Sequence, residues 1–166
     1  MPEKKTIERA KQAKRQGKAP TTQAGEFVRE EMRHIRAGKH GARSTKQAIA
    51  IGLSKARRAG VDLPPPKKGK TSEKTRRSAE RAYEAGQKGK SQPSRTRSQA
   101  TEKVLKREGR AAASSRALSE QAHSAASERT PGERSAAVRK AAQTKKPKNR
   151  SAAARKAART RKKSEK

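Results

Sequence analysis

The amino-acid sequence predicts an all-α protein: a small two-helix head followed by a largely disordered or transiently helical tail rich in Lys, Arg and Ala. Three observations predict it. Large apolar residues recur at helical spacing only in the first third of the chain. Glycine and proline punctuate the rest at intervals of about one short helix. Hydrophobic residues make up only 28% of the 166 residues and aromatics 1%, namely Phe27 and Tyr83, so a large core is excluded.

Residues 1–20 read as a basic arm, briefly helical from Thr6 to Gln16, with Gly17 and Pro20 as breakers. The head is expected over residues 21–63. Ala24, Val28, Met32 and Ile35 recur at helical spacing beside Phe27, and Gly38 is the stop. After a loop of Lys39 to Arg43, Ser44-Thr45-Lys46-Gln47 has the form of a capping box, in which Ser44 and Gln47 each satisfy a free amide at a helix start. The second helix runs to about Ala59. Ala48, Ile49, Ile51, Gly52, Leu53 and Ala56 form its apolar face, and Gly60 with Val61 suits a glycine C-cap. Gly52 within that helix costs about 1 kcal/mol relative to Ala. It marks either a close approach of the two helices against Phe27 or Met32 or a tolerated weak spot.

Pro64-Pro65-Pro66 opens a Pro/Lys linker over residues 64–70. Among Phe, Leu, Ile, Val, Met and Tyr, nine fall between Phe27 and Leu63 and only five follow Pro66. Residues 71–166 therefore read as a basic low-complexity tail, with too little apolar area to offset an ordering cost of about 1–2 kcal/mol per residue. Its breakers delimit short helices near 71–85, 97–108, 111–128, 133–143 and 150–163. Within it, residues 134–146 recur sixteen positions later as residues 150–162. On a helix, Arg155, Arg159 and Lys162 line one side with Lys156 and Lys163 adjoining, and alanines line the other.

Charge dominates what such a chain can do. Lys and Arg number 47 against 15 acids, for a net charge of +32 and a sequence pI near 11.6. Residues after Pro66 hold 31 of the basic residues and nine of the acids. Each cation that neutralises a phosphate releases a condensed counterion, so affinity for nucleic acid should fall steeply with salt. Phosphate contacts are expected from Lys39, His40, Arg43 and Lys46 at the inter-helix turn and from Lys55, Arg57 and Arg58 at the far end of the second helix. The last three also complement the helix dipole, whatever else they do. In the tail the same role falls to Arg139, Lys140, Lys145, Lys146 and Lys148, and to Arg155, Lys156, Arg159, Arg161, Lys162 and Lys163. Lys145-Lys146-Pro147-Lys148 has the form of a nuclear-localisation run, which outside a eukaryote is simply part of the tail.

Other sites are weaker. Gly38-Lys39-His40-Gly41 has the spacing of a KH-type clamp, but the strands of that fold are not predicted and Gly38 has sufficient use as a cap. Ser44, Thr45, Lys46 and Gln47 could face base edges in a helix-turn-helix, yet capping already explains two of them and no third supporting helix is evident. His34, His40 and His123 are scattered and read as surface residues, and Glu26, Glu30 and Glu31 as ordinary exposed charges on one helix. No metal, cofactor or catalytic constellation is predicted. With no cysteine, disulfides and thiolate sites are excluded. The start MPEKKTIERAKQ carries no signal-peptide pattern, so a cytoplasmic location is expected.

Over residues 25–63, GEFVREEMRHIRAGKHGARSTKQAIAIGLSKARRAGVDL, the chain resembles small basic bacterial proteins described as plasmid-stabilisation or DNA-binding. The most specific stretch is Ser44 to Gly60. That resemblance implies the bacterial cytoplasm and association with the nucleoid or a plasmid. The AAxRKAA tail is similar in composition to linker-histone and histone-like bacterial tails. The expectation is a non-enzymatic, sequence-tolerant DNA binder acting by phosphate neutralisation and bridging. RNA or ribosome association, and a protein-interaction head with a cationic tether, are the alternatives. A membrane-surface role is disfavoured because Ala, not Leu, Phe or Trp, lies opposite the charges. Nothing in the sequence sets base preference or oligomeric state.

Overall fold

The computed structural model describes residues 2–89 and 94–144 of the chain. Among these the protein is all-helical, with no strand. Seven α-helices follow in order: α1 (Lys4–Arg15), α2 (Pro20–Arg36), α3 (Thr45–Arg58), α4 (Glu73–Gln87), α5 (Arg95–Lys106), α6 (Ser115–Ser127) and α7 (Pro131–Thr144). A single 3-10 turn, Ala111–Ala113, precedes α6. No described helix is long and apolar enough to cross a membrane. The chain divides into two compact units, Met1–Gln121 and Ala122 onward.

In the first unit α2 and α3 form the expected hairpin. Its boundaries follow from local chemistry. Pro20 occupies the first turn of α2, where its missing N–H and fixed φ cost nothing. The Ser44 hydroxyl accepts from the Gln47 amide at 3.2 Å, and the Gln47 side chain reaches back to the amide of Arg43, at 2.7 Å, one residue earlier than a standard box. At the other end of α3, Gly60 has φ +81° and the Val61 amide closes onto Ala56 O at 3.1 Å, with Val61 buried. Gly52 is a point of close approach: a Cβ there would stand 2.7 Å from Cα of Val28. Val28, rather than Phe27 or Met32, is the neighbour that needs the space.

Two groups of buried side chains hold the hairpin. Phe27, Ala24, Ala56 and Val61 pack with Ala10 of α1 and with half-buried Ile7, Leu53 and Leu63. Met32, Ile35, Ala42 and Ala48 pack with Ala112 and Ala113, from a segment 70 residues downstream, and with Leu118. Full burial of Phe27 or Ile35 contributes about 1.5–3 kcal/mol each.

The head is thus larger than residues 21–63, and two expected boundaries are displaced. Residues 1–20 are not a free arm, because α1 buries Thr6, Ala10 and Ala13 against α2. The linker at 64–70 does not begin a tail either. Beyond it α4 packs on α3 through Ala79 and Ala82, and Gly41 and Ala42 donate backbone hydrogen bonds to Leu105 O and Gly109 O at 2.9 and 3.1 Å. The Thr45 hydroxyl and the Arg36 guanidinium fasten the 3-10 turn through Ala112 O and Ala113 O, at 2.7 and 2.8 Å. Composition hides this because the buried residues of these segments, Thr6 and Leu105 apart, are alanines. They supply little apolar area each, but allow backbones to approach until van der Waals contact and hydrogen bonds compensate.

In the second unit, α7 starts at a full capping box. The Glu133 amide donates to Thr130 Oγ1 at 3.2 Å, and the Thr130 amide to Glu133 Oε2 at 2.9 Å. Residues 131–139 are all exposed, Val138 among them at 69%.

Candidate nucleic-acid interface

Of the seven basic positions expected in the hairpin, the fold leaves three exposed: Lys39, Arg43 and Lys46. They stand on the α2–α3 turn, which residues 105–113 brace from one side. That bracing adds Arg110, an exposed residue whose guanidinium Nη1 lies 3.4 Å from where a Gly38 Cβ would be. Arg110 is about 70 residues from the turn in sequence, and no local pattern links them. Lys39 and Arg43 have acidic neighbours, Glu3 at 3.4 Å and Glu108 at 3.8 Å. At 58% and 80% side-chain exposure such pairs are worth little and are readily exchanged for a phosphate.

The other four are different. Arg58 is half-buried. Arg57 is buried, 7% exposed, and donates from Nε to Leu63 O at 3.0 Å and from Nη2 to Pro64 O at 3.2 Å. Burial pushes its guanidinium pKa down. It ties the Pro-rich strap to the end of α3, so its assignment as a phosphate contact is corrected. Lys55 is turned inward onto Glu31, with 23% of its side chain exposed. His40 is likewise engaged: Nδ1 lies 3.1 Å from Gly41 O and Nε2 3.4 Å from Glu31 Oε1. Arg57, Lys55 and His40 left the surface for one reason, an internal acceptor that sequence spacing does not display.

A direct prediction separates the two groups. Arg57→Ala lowers stability by about 2 kcal/mol, through two lost charge-assisted hydrogen bonds, and, on the reading of the turn as a phosphate-binding surface, leaves the salt dependence of DNA binding unchanged. Lys46→Ala has the opposite profile: stability is held, and the log K against log salt slope becomes shallower by about 1. Urea titration and salt-dependent DNA titration of the two variants check this.

The four residues proposed for base edges are mostly occupied. Ser44 and Gln47 cap α3, and buried Thr45 bonds to Ala112 O, which leaves Lys46. In the second unit Arg139 is exposed on α7, which carries the first copy of the repeat as far as Thr144 and includes Lys140 in its backbone. Lys145, Lys146, Lys148, Arg155, Lys156, Arg159, Arg161, Lys162 and Lys163, with the second copy, lie outside the described residues.

Beneath the turn lies a group of ionisable side chains that the sequence places on the surface and the fold buries. Glu30 and Glu31 are 3% and 0% exposed and His34 is 8% exposed; Glu26 is half-buried. Glu3, at the start of α1, closes over them. Its Oε1 is 2.8 Å from His34 Nε2, its Oε2 accepts from Arg33, and its amide donates to Glu30 Oε1 at 3.1 Å. The hydrogen bond from His34, then that from Arg33, hold the Glu3 carboxyl at about 2. The reading of Glu30, Glu31, His34 and His40 as ordinary surface groups is therefore corrected. Helical spacing alone located none of them, because α1 and α3 cover the polar side of α2 as well as its apolar side.

Over residues 11–68 the chain matches a family of unknown function (DUF6496). The match runs from within α1 to the Pro-rich strap, so it includes the hairpin, the basic turn and the buried Glu30, Glu31, His34 and Arg57, but not Glu3, which closes over them. No curated protein and no solved structure matches the chain.

Proposed function

We propose that this is a non-enzymatic, sequence-tolerant DNA-binding protein that neutralises and bridges phosphates. The observation that carries the reading is the density and spread of positive charge. The chain has a net charge of +32, and residues 122–166 hold 15 Lys and Arg against three acids. Exposed Lys39, Arg43, Lys46 and Arg110 add a cationic surface around one turn of the folded unit. Cations so distributed meet phosphates on more than one DNA segment, which favours bridging over the reading of a single site.

Sequence tolerance is supported by the engagement of Ser44, Thr45 and Gln47 in internal hydrogen bonds, which removes three of the four side chains suited to base edges. Stacking on bases is disfavoured, since Phe27 is 1% exposed and Tyr83 donates to Asp62 at 2.7 Å. Nucleoid or plasmid DNA in a bacterial cytoplasm is the setting implied by the resemblance of residues 25–63.

Titration of the full chain against duplex DNA of several sequences, between 50 and 200 mM salt, tests the proposal. Affinity is expected to fall by about a thousandfold or more across that range, as for six or more phosphate contacts, with little difference between sequences. A slope near zero sinks the reading. Displacement of DNA by equimolar structured RNA moves it to an RNA partner.

A further inference from the structure

The buried group under the α2–α3 turn holds more carboxylates than permanently charged cations, and its other neighbours are imidazoles. Glu30 and Glu31, at 1% and 0% side-chain exposure, are two carboxylates within the fold. One inward-turned cation, Lys55, serves Glu31 Oε2. Buried charges are retained only when paired or when they coordinate an ion.

Glu31 Oε1 sharpens the point, because it is buried and accepts no hydrogen bond from any described group. What faces it is Nε2 of His40, at 3.4 Å. His40 Nδ1 lies 3.1 Å from the carbonyl of Gly41, which can only accept, so the Nδ1 proton is donated there. In the neutral ring Nε2 is then a lone pair. With the ring neutral, two lone pairs face each other across 3.4 Å, an arrangement that a cation between them relieves.

The third member is His34, one helical turn after Glu31 on the same face of α2. One ligating atom of each of Glu31, His34 and His40 lies within 4.8 Å of the other two. From this geometry we infer that Glu31, His34 and His40 bind one divalent transition-metal ion of the zinc class. Two imidazoles and a carboxylate are a donor set that zinc accepts, with a fourth position left to water, and neutral imidazole disfavours calcium and magnesium. The surroundings match those of a metal site. Glu3 holds His34 through Nε2, Gly41 O holds His40 through Nδ1, and Lys55 occupies the second oxygen of Glu31. Such outer partners fix ring orientation and ligand basicity. The ion would pin the basic turn to α2.

The test uses the untagged full chain, zinc chloride as probe, and the imidazole proton and nitrogen resonances of its three histidines at pH 7.5. One equivalent of zinc is expected to shift the His34 and His40 rings and leave His123 in place. The thermal midpoint rises with zinc concentration, and cobalt(II) gives the visible absorption of a four-coordinate N/O site. In the variants, His40→Gln loses the cobalt spectrum, and Lys55→Met weakens zinc binding by about 10–100-fold. His123→Gln binds as the parent chain does. The inference is overturned if zinc leaves all three rings unmoved, which makes protonated histidine the counter-ion of the carboxylates. Equal shifts of His123, or a cobalt spectrum that survives in folded His40→Gln, overturn it too. The wild-type resonances decide the matter even if a variant fails to fold.

Discussion

Removal of residues 122–166 is expected to weaken duplex DNA binding by roughly a hundredfold or more near 0.1 M salt, and to make the log K against log salt slope shallower by about 5. The truncation lowers the net charge from +32 to +20 and takes away 15 of the 47 Lys and Arg. If about six of those fifteen sit on phosphates at any moment, each contributes about 0.9 to the slope. The first unit, Met1–Gln121, contains both buried groups and all the helices that pack on α2 and α3, so its fold is expected to persist. Circular dichroism of the truncated chain verifies that before any binding comparison. Its residual affinity, from Lys39, Arg43 and Lys46 at the turn and Arg110 beside it, keeps a weaker salt dependence. Unchanged affinity after truncation would instead make the basic C-terminal part a tether and place recognition in the folded unit.

The second large effect concerns stability. Gly86→Ala is expected to destabilise the first unit by about 1–3 kcal/mol and to loosen α4 selectively. Gly86 lies in the last turn of α4, and a Cβ there would stand 1.9 Å from the Arg57 carbonyl oxygen and 2.9 Å from the Arg57 carbonyl carbon. Both obstacles are backbone, so no rotamer change relieves them. The helix has to move away, which uncovers Ala79 and Ala82 and strains the hydrogen bond from Tyr83 to Asp62. Propensity acts in the other direction, since Ala favours a helix over Gly by about 1 kcal/mol.

Gly25→Ala supplies the control. It too lies inside a helix, α2, but nothing comes within 4 Å of its Cβ position, so the propensity gain of up to about 1 kcal/mol appears undiminished. Urea midpoints that move in opposite directions for the two alanines, with faster amide exchange in α4 of Gly86→Ala alone, are the expected pair of results. Equal midpoints would remove the close crossing of α3 and α4.

These two glycines illustrate how far local pattern carries. The α2–α3 hairpin was legible because its signals are local: the spacing of Ala24, Val28, Met32 and Ile35, the Ser44–Gln47 cap, and Gly60 followed by an apolar residue. Helices near 71–85, 97–108 and 133–143 were legible too, within a few residues of α4, α5 and α7. Gly52 could be read from its apolar face as either a close approach or a weak spot, and only the Val28 backbone across from it decides for the close approach. Gly86, followed by Gln87, Lys88 and Gly89, reads as a breaker, and only the carbonyl of Arg57 on another helix gives it a different meaning.

Net charge, helical character and the scarcity of large apolar residues are sums or short-range periodicities of the chain, and they follow from residue order without reference to any distant partner. Whether a given ionisable side chain meets water is not of that kind. Arg57, Lys55, His40, His34, Glu30 and Glu31 resemble surface residues wherever neighbours in sequence are consulted. Their burial depends on which helix arrives across from them and on an acceptor or cation contributed from elsewhere in the chain. The same holds for the alanines at 10, 79, 82, 112 and 113, whose methyl groups enter a core only once backbones have come close enough to make small size an advantage.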